Sequence, residues 1–249
     1  MKKEIYLIGL VILELFASCD SRTEAEKIVD KSIEAYGGEI YETAKIDFDF
    51  RDRHYSIFKT QNAFEYTREF TDSTGTVKDV LNNAGFVRTV NGAKIDTLSE
   101  ERIGAFSRSV NSVAYFAFLP YGLNDAAAVK TYLGETDLKG EKYHLIKVTF
   151  AKDGGGDDFD DEFLYWIGGE DFVIDYIAYS YHTDGGGVRM RVVSEVKEVG
   201  GIRFQNYLNL KPEDNETPVE EMQALYTSGQ LEVLSEINLE NIKVEAISK

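Results

Sequence analysis

Residues 172–181 read FVIDYIAYSY, and their apolar side chains fall on both faces of any strand they form. Phe172, Ile174, Tyr176 and Ala178 lie on one side, with Val173, Ile177, Tyr179 and Tyr181 on the other. A sheet wet on one face shows clean alternation of apolar and polar residues. Both faces of this strand must therefore be covered, by helices, by sheet curvature or by a ligand.

The neighbouring residues extend the same reading. Strands are predicted over 143–151, 161–167, 172–181, 188–197 and 202–210, separated by KDGGGDDFD, GGED, HTDGGG and EVGG. Each connection carries glycines and acids where a turn needs unusual backbone angles, so the segment reads as an antiparallel meander. The stretch KDGGGDDFDDEFLYW (152–166) is the most chemical in appearance, with six carboxylates before a run of aromatics. DGGG recurs at 184–187, again between two strand-like runs, which makes it a hairpin feature. An EF-hand loop begun at Asp153 needs a ligand where Gly155 stands, glycine at Asp158 and glutamate at Leu164, so no tight metal site is expected.

Upstream, Ile46, Phe48 and Phe50 alternate with Asp47, Asp49 and Arg51 as a half-buried strand. Asp72-Ser73-Thr74-Gly75 reads as a turn, and Asn91-Gly92 between Phe86–Val90 and Ala93–Thr97 as a hairpin. Two helices interrupt the strands. Thr23-Glu24-Ala25-Glu26 forms a capping box for a helix of about 14 residues that ends at Gly37-Gly38. A second spans 98–119, capped by Thr97 and Glu100, with Ile103, Phe106, Val110, Val113 and Ala117 on one stripe and Pro120 at its end. Residues 124–133 fit either a short helix or a loop. Thr217-Pro218 opens a short C-terminal helix, and strands over 231–237 and 242–247 close the chain.

Together these elements predict a mainly β fold: a large curved antiparallel sheet or open half-barrel, with helices over the concave face. The 249 residues divide as a leader (1–18), a tether (19–22) and one domain (23–249). A formal charge of −17 with no free basic stripe argues against nucleic-acid binding. The one cysteine, Cys19, permits no intrachain disulfide. In MKKEIYLIGLVILELFASC, basic residues precede an apolar core and small residues precede the cysteine, the order of a secretory signal. Nine apolar residues (Ile5–Leu13) are too few to span a bilayer. Small residues directly before Cys19 resemble the lipobox of bacterial lipoproteins, which implies an acylated Cys19 that anchors the chain to a membrane of the cell envelope. Glu14 and Phe16 depart from the ideal pattern.

A wider resemblance rests on the lipobox, on AEKIVDKSIEAYGG, on VNSVAYFAFLPYGL and on GEKYHLIKVTF…YWI…DYIAYSY…GGVRMR…GIRFQNY. These look like an uncharacterised Bacteroidota lipoprotein family. More distantly, the helix ending in Gly-Gly and the following meander resemble the LolA/LppX-like lipoprotein-carrier folds. That resemblance implies an open half-barrel able to hold acyl chains or glycolipids. LolA itself is unlipidated, so Cys19 departs from it, and no functional residue of that carrier maps onto a motif here.

The residues carry little catalytic signal. G-x-S-x-G, P-loop and H-E-x-x-H motifs are missing, and His54, His144 and His182 share no ligand spacing. Lys147 lies mid-strand among apolar neighbours and reads as a snorkelling lysine. Asp175, Arg189, Glu195 and Arg203 fall inside apolar strands, where charges pair across strands or mark a site. With 15 Tyr and 15 Phe, the aromatics fit either a filled core or a cavity lining. The cavity candidates are Phe106, Val110, Val113 and Phe116 on the second helix, His144 and Trp166 on the first strands of the meander, and Asp175, Tyr176, Tyr179 and Arg189 beyond them. The expected role is a membrane-anchored module holding a lipid-like molecule, with no cofactor or metal. An envelope enzyme using a pocket carboxylate or His144, and an interaction subunit without ligand, are the alternatives.

Overall fold

The structure, a computed structural model, describes residues 21–60, 62–152 and 160–247. The leader, Cys19 and the first DGGG segment lie outside the described residues. Helix α1 (Glu24–Tyr36) begins at the expected capping box. The Thr23 hydroxyl accepts from Glu26 N (3.2 Å), and the Glu26 carboxylate accepts from Thr23 N (2.7 Å). Gly37 ends the helix at φ 132°, and a Cβ there would sit 2.7 Å from Gly201 O, so backbone angle and close approach both demand glycine. The buried Tyr36 hydroxyl accepts from Ile174 N (3.0 Å) and donates to Ile174 O (3.3 Å). It thereby occupies the point where a meander strand slips register.

The strands form two seven-stranded antiparallel sheets. The first contains β1 (Ala44–Phe50), β2 (Arg53–Lys59), β3 (Phe64–Asp72), β4 (Gly75–Asn82), β5 (Gly85–Val90) and β6 (Ala93–Lys94). The second contains β7 (Ala128–Leu138), β8 (Glu141–Phe150), β9 (Glu162–Gly168), β10 (Ile174–Tyr181), β11 (Gly187–Val199) and β12 (Ile202–Lys211). The chain closes with β13 (Glu232–Ile237) and β14 (Leu239–Ala246), separated only by Asn238. β13 pairs with β12 and β14 with β1, so one C-terminal run edges both sheets. At the crossing, Leu239 N donates to the buried Asn206 side chain (2.9 Å). The mainly β antiparallel class is as expected, and what reads as one large sheet divides at this switch.

Three details differ from the sequence reading. Residues 124–133, which fit a helix or a loop, run into strand β7. The second helix, α2 (Glu100–Ala117), is capped by Ser99, whose hydroxyl accepts from Arg102 N (3.4 Å), rather than by Thr97. The C-terminal helix α3 (Met222–Thr227), entered through a 3₁₀ turn at Val219–Glu221, covers the face of the second sheet opposite to α1 and α2.

That arrangement explains the two-faced strands. One face of the second sheet joins a core shared with α1, α2 and the first sheet, including Ile46, Phe48, Val110, Phe163, Tyr165, Ile177 and Tyr207. The other packs Trp166, Ala178, Val188 and Met190 against Val219 and Met222. β3, bearing no such second cover, alternates more nearly between buried and accessible residues. No helix among the described residues is long and apolar enough to cross a membrane.

Candidate functional site

α2 lies across the interior with a cavity on each side. The larger, about 1040 Å³, opens between α2, the β2–β3 connection, the 122–127 loop and the ends of β8, β9 and β10. Its floor is aromatic because inward positions of adjacent strands carry rings in register. Phe163 stacks on Tyr179 (centroids 5.5 Å, 16°), directly opposite it in the β9–β10 pairing. Phe150 meets Phe163 edge-on (5.8 Å, 88°). From the helix, Tyr115 packs on Phe163 (5.3 Å) and Phe116 on Tyr179 (5.2 Å). The Tyr115 and Tyr165 hydroxyls bond each other, and burial holds both well above the usual phenol range, so they stay neutral.

The rim is polar and largely self-satisfied. Lys59 pairs with Asp125. Arg189 donates to Tyr181 Oη (2.8 Å), Val188 O (2.7 Å) and Asn215 Oδ1 (3.2 Å). Asp161 accepts from His182 N (3.2 Å). The smaller cavity, about 180 Å³, lies on the other flank of α2 between Phe50, Arg191, Gln205, Asn209, Ile237 and Leu239. Ser112, Val113 and Phe116 wall both cavities.

α2 is held over the sheets by a buried charge cluster. Arg68, Asp79 and Arg88 stand opposite one another across β3, β4 and β5. Asp79 accepts from Arg68 Nε (2.9 Å) and Nη2 (2.6 Å) and from Arg88 Nε (2.6 Å) and Nη2 (2.9 Å). Arg68 Nη1 also donates to Ser109 Oγ on α2 (2.7 Å), and the Arg88 guanidinium lies 3.5 Å from the centroid of Phe106.

Of the sequence candidates, Val113, Phe116, Tyr179 and Arg189 line the larger cavity. Val110 is sealed in the core, and Phe106 packs under Arg88. His144 is half-buried outside the cavity, stacked on Phe172 (5.8 Å, 15°) with Nδ1 3.4 Å from Tyr132 Oη. Trp166 and Tyr176 belong to the face under α3, where Trp166 Nε1 donates to Gln223 Oε1 (2.7 Å). Asp175 accepts from Tyr143 Oη (3.0 Å), and burial raises its carboxyl above the ordinary range. Glu195 accepts from Asn206 (2.7 Å), and Arg203 lies over Tyr36, so the charges on the meander strands meet separate partners. Lys147 pairs with Glu162 and Glu220 (3.0 Å each). Among the described residues, no group of three or more His, Cys, Asp or Glu could hold a metal ion.

Sequence reasoning missed Arg191 and the Arg68–Asp79–Arg88 cluster. Arg191 carried a signal: it shares a face with Arg189, two residues away in an apolar strand.

Residues 3–239 match the profile of a family of unknown function, DUF6503, and the chain belongs to that family. No curated protein matches it. Among solved structures it is similar to a LolA superfamily protein from Nitrosomonas europaea, at 12% identity over 91% of this chain and 96% of the other, with a TM-score of 0.49. A domain from Vibrio parahaemolyticus described as outer membrane lipoprotein-sorting matches at 6% identity over 91% and 95% of the two chains, TM-score 0.46. Lipoprotein LppX of Mycobacterium tuberculosis matches at 10% over 66% and 90%, TM-score 0.27. At these values the likenesses assign no function.

Proposed function

We propose that this chain is a binding module that holds a lipid-like apolar molecule in the cleft beside α2, and that acylated Cys19 anchors it in the cell envelope. The supporting observation is the cleft itself: about 1040 Å³, floored by Tyr115, Phe116, Phe150, Phe163 and Tyr179. This is at the upper end of small-molecule sites, roughly 300–1,000 Å³, which are mostly apolar and aromatic with a few placed polar groups. Its charged groups favour binding over catalysis, because Lys59, Asp125 and Arg189 each have structural partners. The anchor reading rests on the order of residues 1–19. With α1 starting at Glu24, the single domain of residues 23–249 sits close to the membrane.

A fluorescent long-chain fatty acid titrated into the full chain tests the binding role. Uptake should saturate, and Ser112→Trp, at an exposed position on the wall of both cavities, should abolish it without loss of fold. Absence of saturable uptake, or uptake unchanged in Ser112→Trp, contradicts the assignment.

A further inference from the structure

The smaller cavity contains a cation that no carboxylate among the described residues neutralises. Arg191 is 8% exposed, and its Nε is buried with no hydrogen-bond partner. No carboxylate among the described residues pairs with it. Its guanidinium stacks on Phe116 (3.2 Å to the centroid), and Nη2 reaches only Tyr179 Oη, at 3.5 Å. A guanidinium removed from water and left unpaired is costly, unlike the buried Arg68, which Asp79 neutralises. Directly opposite Arg191 in the β11–β12 register is Asn209. Its Oδ1 is also buried without a partner, and its Nδ2 donates to Ser235 Oγ (3.3 Å). Two unsatisfied polar atoms thus come from residues standing side by side on the sheet wall of one small cavity.

We propose that this cavity binds the anionic head of an amphiphile, a carboxylate or phosphate monoester, through Arg191. This deepens the proposed function and rests on it. The planar fork of the guanidinium matches either anion with two parallel hydrogen bonds. Asn209 accepts from a hydroxyl on the head or, with its amide turned, donates to the same anion. Arg51, Gln205 and Ser235 add polar groups to its lining, and the apolar walls Phe50, Val113, Phe116 and Ile237 suit the first methylenes of a chain. At about 180 Å³ the cavity holds a head and little more. The larger aromatic cleft, which shares the wall of Ser112, Val113 and Phe116 and in which Tyr179 lies next to Arg191, would take the tail. A net charge of −17 repels free anions, so a bare ion gains little here, whereas an apolar tail supplies the missing affinity.

Calorimetric titration of the full chain with dodecanoate, dodecyl phosphate, 1-dodecanol and inorganic phosphate separates the cases. The wild type should bind dodecanoate and dodecyl phosphate about tenfold or more tighter than 1-dodecanol, the scale of a hydrogen bond to a charged group. Arg191→Gln should erase that preference, so that dodecanoate and 1-dodecanol bind alike, and inorganic phosphate should not bind. Equal affinity for dodecanoate and 1-dodecanol overturns the anion site but leaves the apolar cleft standing, whether or not the variant folds. A preference that survives in Arg191→Gln overturns the role of Arg191. Arg191-dependent binding of inorganic phosphate alone assigns the site to a free ion and overturns the amphiphile. Failure of all three dodecyl compounds to bind refutes the binding module itself.

Discussion

Asp79→Asn is the sharpest test of how the cleft wall is held. Asp79 is fully buried between two arginines, with side-chain exposures of 2% for Arg68 and 12% for Arg88. Its two oxygens accept four charge-assisted hydrogen bonds. Asparagine keeps the shape but removes the charge, and its amide nitrogen cannot accept from a guanidinium. Two buried cations are then left facing one another. Removing one partner of a buried pair costs about 3–5 kcal/mol, and the loss of both pairs at once puts this variant at the upper end. Arg88→Met should cost much less, because it leaves Arg68 and Asp79 balanced. Urea unfolding monitored by tryptophan fluorescence and circular dichroism reads the difference as a shift in midpoint at constant slope. The loss should change little with added salt, since buried pairs are poorly screened. Because Arg68 also donates to Ser109 on α2, Asp79→Asn should weaken uptake of a fluorescent fatty acid as well. A loss below about 1 kcal/mol, the range of an exposed pair, would refute the buried-cluster account.

Three further outcomes are expected. Val110→Ala, at a fully buried position under α2, should destabilise by about 2–3 kcal/mol, whereas an effect within about 0.5 kcal/mol would mean the helix is not packed on the sheets. Burial raises the folded pKa of Asp175, so its contribution to stability is present below the ordinary aspartate value of about 3.9 and is lost as pH rises through the higher folded value. Asp175→Asn, which still accepts from Tyr143, should therefore gain stability relative to the wild type as pH rises above about 4, and a pH-independent difference contradicts this. Clickable fatty acid fed to cells should label the wild type and not Cys19→Ala; equal labelling would remove the anchor.

The period-two patterns and glycine-rich turns made the meander legible, and the capping box with Gly37-Gly38 fixed α1 to within a residue. Which face a residue serves was not legible, because the strands of the second sheet are apolar on both sides. Trp166 and Tyr176 consequently joined a candidate list for a cleft they do not reach. Parity alone also misplaces Ile174: the register slip before Tyr176, occupied by the Tyr36 hydroxyl, lets it join the main core beside Ile177. The Arg68–Asp79–Arg88 cluster follows from two hairpin registers, but Arg68 takes an inward place between Tyr66 and Phe70 where the pattern calls for an apolar residue, so nothing in the sequence marks it as buried and paired. Arg191 was hidden for another reason. An arginine in an apolar strand reads as half of an ion pair, and only the fold reveals that no carboxylate among the described residues pairs with it.

Native mass spectrometry of the Cys19→Ala chain, released gently from the periplasm and never exposed to detergent, shows whether the cleft beside α2 carries a ligand. A stoichiometric, non-covalent adduct is expected, one that organic extraction removes and identifies as an amphiphile with an apolar chain and that Ser112→Trp lacks. Ligand-free Cys19→Ala protein, isolated under conditions in which a known lipid carrier retains its cargo, would contradict the binding role.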